Sequence, residues 1–113
     1  MHELGVVIEV VKTVRRFVRQ HQLTQVDTIV LQIGELSSMI PRYVKECFPA
    51  AVDQTEFAQT KLVIEIVPAK AICKGCQQVF SVLHNSSTCP ECGSQEWGLL
   101  SGREFSIKEI IAR

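Results

Sequence analysis

Cys73-Lys-Gly-Cys76 and Cys89-Pro-Glu-Cys92 are two CxxC pairs with twelve residues between them. No other feature limits the chain so sharply. Two intervening residues let one tight turn aim both sulfurs at a single ion. Two such turns on a hairpin supply four thiolates in a tetrahedron, the geometry of a structural zinc site. Gly75 and Gly93 permit the unusual backbone angles that these turns need. A segment of about thirty residues has almost no core, so the metal is expected to hold it folded. With no open coordination position, the site reads as structural. The competing readings are a redox dithiol, two disulfides, inert buried thiols, and iron. Thioredoxin-like chemistry wants one CxxC at a helix start and not two on a hairpin. Four thiolates do not separate iron from zinc by geometry.

The rest of the composition fits that staple. The chain has 113 residues and five cysteines, an odd count that argues against a closed set of disulfides. Twelve Lys+Arg balance twelve Asp+Glu. Without a basic field, strong non-specific binding to nucleic acid or an anionic membrane is not expected. A hydrophobic fraction of 46% supports a core. Met1-His2-Glu3 lacks the basic start of an export signal. The apolar stretch from Leu4 to Val11 is far short of the roughly 20 residues that cross a membrane. The expected compartment is the cytoplasm, where reduced thiols favour metal binding. His2 is bulky, so Met1 is expected to be retained.

Hydrophobic periodicity outlines the main domain. Leu4, Val7, Ile8, Val11, Val14 and Val18 recur at helical spacing, predicting a helix from about Glu3 to about Gln22. Its valines have weak helix propensity, so packing must hold it. Gly5 weakens it by roughly 0.5–1 kcal/mol relative to Ala. Asp27 to Glu35 alternates with period two: Ile29, Leu31 and Ile33 oppose Thr28, Val30 and Gln32. Pro41 suits the first turn of a second helix, with Val44, Cys47, Phe48, Ala51 and Val52 as its apolar stripe. Pro49 inside that helix costs roughly 3 kcal/mol and predicts a kink or a break. Lys61 to Val67 and Glu104 to Ile111 read as two further strands that pair with each other.

The predicted fold is therefore α+β: two helices on a small, mainly three-stranded sheet. A zinc-ribbon-like module is inserted between the last two strands. The expected division is residues 1–68 with 103–113 for the main domain and 69–102 for the module.

The N-terminus offers a second metal site. The α-amine of Met1, the imidazole of His2 and adjacent deprotonated backbone amides can chelate one ion through five- and six-membered rings. Nitrogen-rich, square-planar sets of this kind suit nickel(II) or copper(II). The ordinary reading of a lone terminal histidine is a solvated residue.

Several segments now add up to a resemblance. Met1-His2-Glu3-Leu4, Leu31-Gln-Ile-Gly34-Glu35-Leu36-Ser37, Leu62-Val-Ile-Glu65, the two CxxC pairs ending in Cys92-Gly93, and Gly102-Arg103-Glu104-Phe-Ser-Ile-Lys occur in this order. Together they resemble the HypA/HybF family of nickel-incorporation metallochaperones for [NiFe]-hydrogenase maturation, over nearly the whole chain. The resemblance implies Ni2+ carried at the N-terminus. His2 is the essential side chain, and the Met1 amine with the backbones of His2 and Glu3 are companion donors. The Glu3 carboxylate would tune the site or a partner contact. It also implies a structural Zn2+ on Cys73, Cys76, Cys89 and Cys92. The implied partners are a HypB-type GTPase, the hydrogenase large subunit and, in some organisms, urease maturation proteins; a homodimer is left open by the sequence. Some members carry a histidine beside each CxxC pair. Gln77, Gln78 and Gly93 stand there in this chain, so no pH-dependent exchange of cysteine for histidine is expected.

The remaining groups read more plainly. Cys47 is expected to be a buried, inert core thiol, and His84 a surface residue. His21 should decorate a helix end. Lys12, Arg15, Arg16 and Arg19 form a basic stripe, read as a solvated face, with docking of an acidic partner as the alternative. Glu35 reads as a solvated turn acid, or else as an acid near the nickel. Trp97 is expected to pack the module against the main domain. No Ser-His-Asp set, P-loop or supported pair of catalytic carboxylates is present, so an enzyme is not expected. A zinc ribbon that binds nucleic acid or a transcription partner is the runner-up; zero net charge counts against it. An iron–thiolate redox protein is the third reading.

Overall fold

A computed structural model describes residues 3–113. Eight elements follow one another: α1 (Glu3–Gln20), β1 (Val26–Gly34), α2 (Pro41–Val52), β2 (Lys61–Val67), β3 (Lys70–Cys73), β4 (Val79–Ser81), β5 (Trp97–Ser101) and β6 (Phe105–Ala112). They form two helices and two three-stranded sheets, ordered β2-β1-β6 and β4-β3-β5. The α+β arrangement of two helices with a small three-stranded sheet is the one expected.

The order of the first sheet follows from burial. β1 is apolar on both faces, with Ile29, Val30, Leu31 and Ile33 all buried, so it takes the centre. β2 and β6 alternate between covered and exposed residues and take the edges. The expectation that they pair with each other is therefore corrected: each pairs with β1. Thr24 and Gln25 donate their N–H groups to the Arg113 carbonyl, and Gly34 donates to that of Glu104. β1 and β6 are thus antiparallel. At the other edge Thr60 Oγ1 donates to the Val26 carbonyl at 2.7 Å, and Glu35 N–H donates to that of Val67 at 2.9 Å. Starts meet starts and ends meet ends, so β1 and β2 are parallel. That geometry demands a crossover, which α2 supplies. Lys108 on β6 and Glu65 on β2 pair at 2.8 Å, on strands that flank β1.

α1 buries Val7, Val10, Val11 and Val14, and α2 buries Val44, Phe48 and Val52. α1 stops two residues before the expected end. Gln22 has φ +53; its N–H bonds the Arg19 carbonyl and that of Leu23 bonds Val18. This left-handed ending satisfies the last carbonyls. α2 does not break at Pro49 and continues to Val52. Burial of Phe48 and Val52 on one face holds the turn together at a position where one backbone bond is lost. Cys47 is only half-buried, which corrects the expectation of a core thiol.

The chain forms two compact units. One contains the chain through Gln32, Ser38–Glu65 and Phe105–Arg113; the other contains Ile33–Ser37 and Ile66–Glu104. In the second unit, Gly34 passes Gly102 so closely that a Cβ on Gly34 would overlap the Gly102 carbonyl. Leu36 N–H bonds that carbonyl at 2.7 Å. Gly102 has φ +122, and a Cβ there would meet Ala69. Both positions require glycine. Glu35 is exposed, as expected of a turn acid, and its carboxylate also accepts the Ala69 N–H at 2.7 Å. Among the described residues, no helix is long and apolar enough to cross a membrane.

Candidate metal centre

The second unit has a small core of its own. Ala69, Ala71, Cys73, Phe80, Val82 and Cys89 are buried together, with Leu36, Trp97 and Leu99 packed against them. β3 pairs antiparallel with β4 and β5, placing Ala71 opposite Phe80 and Leu99. Trp97 belongs to this core. Its ring meets Phe80 edge-on at 6.3 Å, and its indole N–H donates to the Ser87 carbonyl at 2.9 Å. The packing role expected for Trp97 is therefore corrected to one inside the module.

Each CxxC pair lies on a turn, and the two turns repeat one hydrogen-bond pattern. Cys73 N–H donates to the Gln78 carbonyl and Gln77 N–H to that of Cys73. Cys89 N–H donates to the Ser94 carbonyl and Gly93 N–H to that of Cys89. The residue after the second cysteine is left-handed in both, Gln77 at φ +63 and Gly93 at φ +77. The expectation for Gly93 holds. That for Gly75 is corrected, because its φ is not positive; its N–H instead donates to Cys73 Sγ at 3.3 Å. Gln77 takes the strained position in the first turn. Only an alignment of Cys-x-x-Cys-Gln with Cys-x-x-Cys-Gly could have marked it.

These turns bring all four sulfurs within 4.8 Å of one another. Cys73 Sγ lies 3.5 Å from Cys92 Sγ, and Cys76 Sγ lies 3.6 Å from Cys89 Sγ. A zinc–sulfur bond of about 2.3 Å in a tetrahedron sets sulfur–sulfur edges near 3.8 Å, so the donor set fits such an ion. All four cysteines are free thiols. Cys73 and Cys89 are buried, and Cys76 and Cys92 are exposed, so each turn contributes one inner and one outer sulfur.

The thiols differ in their readiness to ionise. The Cys76 backbone N–H holds the Cys73 thiolate, against partial desolvation and with help from the Gly75 N–H, and lowers Cys73 to about 6. At Cys76 the Gln78 N–H favours the thiolate, but desolvation and the neighbouring Cys89, Cys92 and Cys73 sulfurs prevail and push it up to about 12. At Cys92 the Ser94 N–H favours the thiolate and the Cys73 sulfur opposes it; the net shift is upward. Cys73 is thus ready to take the first bond to a cation, while Cys76 and Cys92 keep their protons until the cation arrives.

The second sequence-derived site is only partly in view. Met1 and His2 lie outside the described residues. Glu3 opens α1, 4% exposed, and its Oε2 accepts the Ile40 N–H at 3.4 Å. Two of the four cations of the basic stripe on α1, Lys12 and Arg15, pair with acids. Lys12 pairs with Glu9 at 3.4 Å. Arg15 pairs with Glu56 and lies over the Phe57 ring, holding the Glu56 carboxyl below the usual range. His21 stacks on Phe17 at 4.3 Å, and His84 is exposed.

The chain as a whole is similar to known proteins. A family model described as hydrogenase/urease nickel incorporation, metallochaperone, hypA matches residues 1–112. The chain is 34% identical over 111 residues to the hydrogenase maturation factor HypA of Chlorobium luteolum, covering 98% of this chain and 95% of that protein. It is 37% identical over 112 residues to the hydrogenase maturation factor HypA of Streptomyces avermitilis, covering 97% and 86%. The solution structure of the Ni metallochaperone HypA from Helicobacter pylori shares the fold, with a TM-score of 0.67, 22% identity, and coverage of 99% of this chain and 97% of that one.

Proposed function

Because the chain belongs to the HypA family of nickel-incorporation metallochaperones, we propose that it carries Ni2+ on its N-terminus for [NiFe]-hydrogenase maturation. The donors are the Met1 α-amine, the His2 imidazole, and the backbones of His2 and Glu3. Nitrogen donors in a flat set suit nickel(II). They leave the ion at the end of a chain, where a receiving protein can reach it.

Cys73, Cys76, Cys89 and Cys92 hold a structural Zn2+ that fixes residues 69–102 as a docking module. Residues 1–68 and 103–113 form the nickel-binding domain. Four sulfurs within 4.8 Å of one another support this assignment. When bound, the zinc supplies cohesion and no open coordination position. The partners are a HypB-type GTPase that works with the chaperone, the hydrogenase large subunit that receives the ion, and, where urease is present, its maturation proteins. The compartment is the cytoplasm.

The observation that carries this reading is the combination of Met1-His2-Glu3 with the four-cysteine cluster in one family-matched chain. Calorimetry of untagged protein against His2→Ala tests it. Loss of nickel binding on substitution, with zinc content unchanged, is expected. Equal nickel binding by both proteins rejects the terminal site.

A further inference from the structure

Glu3 is 4% exposed. Charged side chains are almost never buried this far without a partner. One of its contacts is with the start of α2. The N-cap of α2 is Ile40, in an extended conformation at φ −89 and ψ 117, and it makes no side-chain cap. An isoleucine has no acceptor to offer. In a capping box, the carboxylate three residues into the helix reaches back to the N-cap N–H. That position here is Tyr43, and the first turn of α2 contains no acid. The carbonyl of Ile40 is already taken by the N–H groups of Tyr43 and Val44.

Glu3 supplies the missing acceptor from a different helix, 37 residues away in sequence. Its Oε2 accepts the Ile40 N–H at 3.4 Å. Its charge also faces the positive end of the α2 dipole, which offsets part of the cost of burying a carboxylate.

We propose that Glu3 is a positioning residue for the nickel terminus, its carboxylate committed to α2 and not to the metal. This rests on the N-terminal nickel site proposed above. Glu3 follows His2 directly, and its own amide nitrogen is one of the companion donors. Anchoring the Glu3 side chain to α2 limits the freedom of that amide before any ion arrives, as supporting groups do around other metal sites. The same anchor removes the carboxylate from the list of partner contacts, because a buried group is not presented to a docking protein.

Two substitutions separate the roles. Glu3→Gln keeps an oxygen acceptor for Ile40 but is a poor metal donor. Glu3→Ala removes the acceptor. The measurements are nickel affinity by calorimetry, the absorption spectrum of the nickel-loaded protein, and hydrogen exchange at the Ile40 amide in metal-free protein. Glu3→Gln is expected to bind nickel within about threefold of the parent, with an unchanged spectrum. Glu3→Ala is expected to bind about tenfold more weakly and to exchange the Ile40 amide faster. Comparable losses in both variants, with an altered spectrum, make the carboxylate a donor and overturn the proposal. So does an Ile40 amide that exchanges at the parent rate in Glu3→Ala. His2→Ala is measured in parallel. If it binds nickel like the parent, the terminal site fails, and the role of Glu3 toward nickel fails with it. The Ile40 exchange rate, which needs no nickel, decides the anchor separately.

Discussion

The two cysteine turns are built alike but carry different residues at their strained position, and exchanging that difference has a calculable effect. A non-glycine residue in left-handed conformation costs about 1–2 kcal/mol. Gln77 bears this cost at φ +63, whereas Gly93 avoids it at φ +77. Glycine returns some of the gain, roughly 0.5–1 kcal/mol, through the greater freedom of the unfolded chain. Gln77→Gly should therefore stabilise the module by about 0.5–1 kcal/mol. Gly93→Ala should destabilise it by about 1 kcal/mol and little more, because a Cβ built on Gly93 meets nothing within 4 Å. Folding of the module and capture of the ion are coupled, so about 1 kcal/mol appears as a change of about fivefold in metal affinity. Competition for zinc against a colorimetric chelator at fixed pH reads this directly. Gln77→Gly should hold zinc about threefold tighter and Gly93→Ala about fivefold more weakly. A weaker Gln77→Gly, or a Gly93→Ala indistinguishable from the parent, refutes the equivalence of the two turns.

Other consequences follow from the same geometry. Gly34→Ala drives a methyl group into the Gly102 carbonyl and disturbs two backbone bonds, Gly34 to Glu104 and Leu36 to Gly102. It should cost about 2–4 kcal/mol in urea denaturation, whereas Gly5→Ala, with open space around it, should gain roughly 0.5–1 kcal/mol. At pH 7 Cys76 and Cys92 retain their protons, while Cys73, lowered to about 6, has largely shed its own. Metal uptake should thus release at least the protons of Cys76 and Cys92, and affinity should rise with pH. Calorimetry in buffers of different ionisation enthalpy measures the number, and release of clearly fewer than two protons contradicts the order of ionisation. Cys89→Ala removes a buried thiol of the four-sulfur cluster and should open residues 69–102 to protease while residues 1–68 persist. Cleavage spread evenly along the chain counts against two separable units.

Much of this molecule can be read from residue spacing, and the exceptions have physical causes. Period two in Lys61–Val67 marks β2 to its ends, and helical spacing marks α1, because burial on one face imposes those periods. The CxxC spacing marks the four sulfurs, because a tight turn allows few other arrangements. Strand order was not legible: alternation describes one strand and says nothing of its neighbour, so β2 and β6 were expected to pair across the module. Pro49 looked like a breaker because local energetics favour a break; burial of Phe48 and Val52 overrides it. Cys47 lies on an apolar stripe yet is half-buried, since the periodicity that marks a stripe leaves the extent of its cover undefined.

At the candidate sites the illegible parts are the long-range ones. Glu3 and Glu35 are acids that each accept a distant backbone N–H, of Ile40 and Ala69, 37 and 34 residues away. Backbone donors leave no mark in a sequence, so both acids read as solvated or as tuning a site. Trp97 advertised its apolar bulk but not its destination, the edge of the Phe80 ring inside the module. Gln77 was hidden for the opposite reason: glycine is the usual sign of a left-handed turn, and this turn lacks it.

The central claim is that two different metals occupy two different donor sets, one of them the chain's own first nitrogen. Adding a few residues before Met1 tests it, because this converts the α-amine into an amide and leaves His2, Glu3 and every cysteine in place. Untagged and extended proteins are offered nickel and zinc together, passed over a desalting column, and analysed by mass spectrometry for bound metal. Both proteins are expected to keep one equivalent of zinc, and only the untagged protein is expected to keep nickel. Equal nickel in both proteins contradicts that claim.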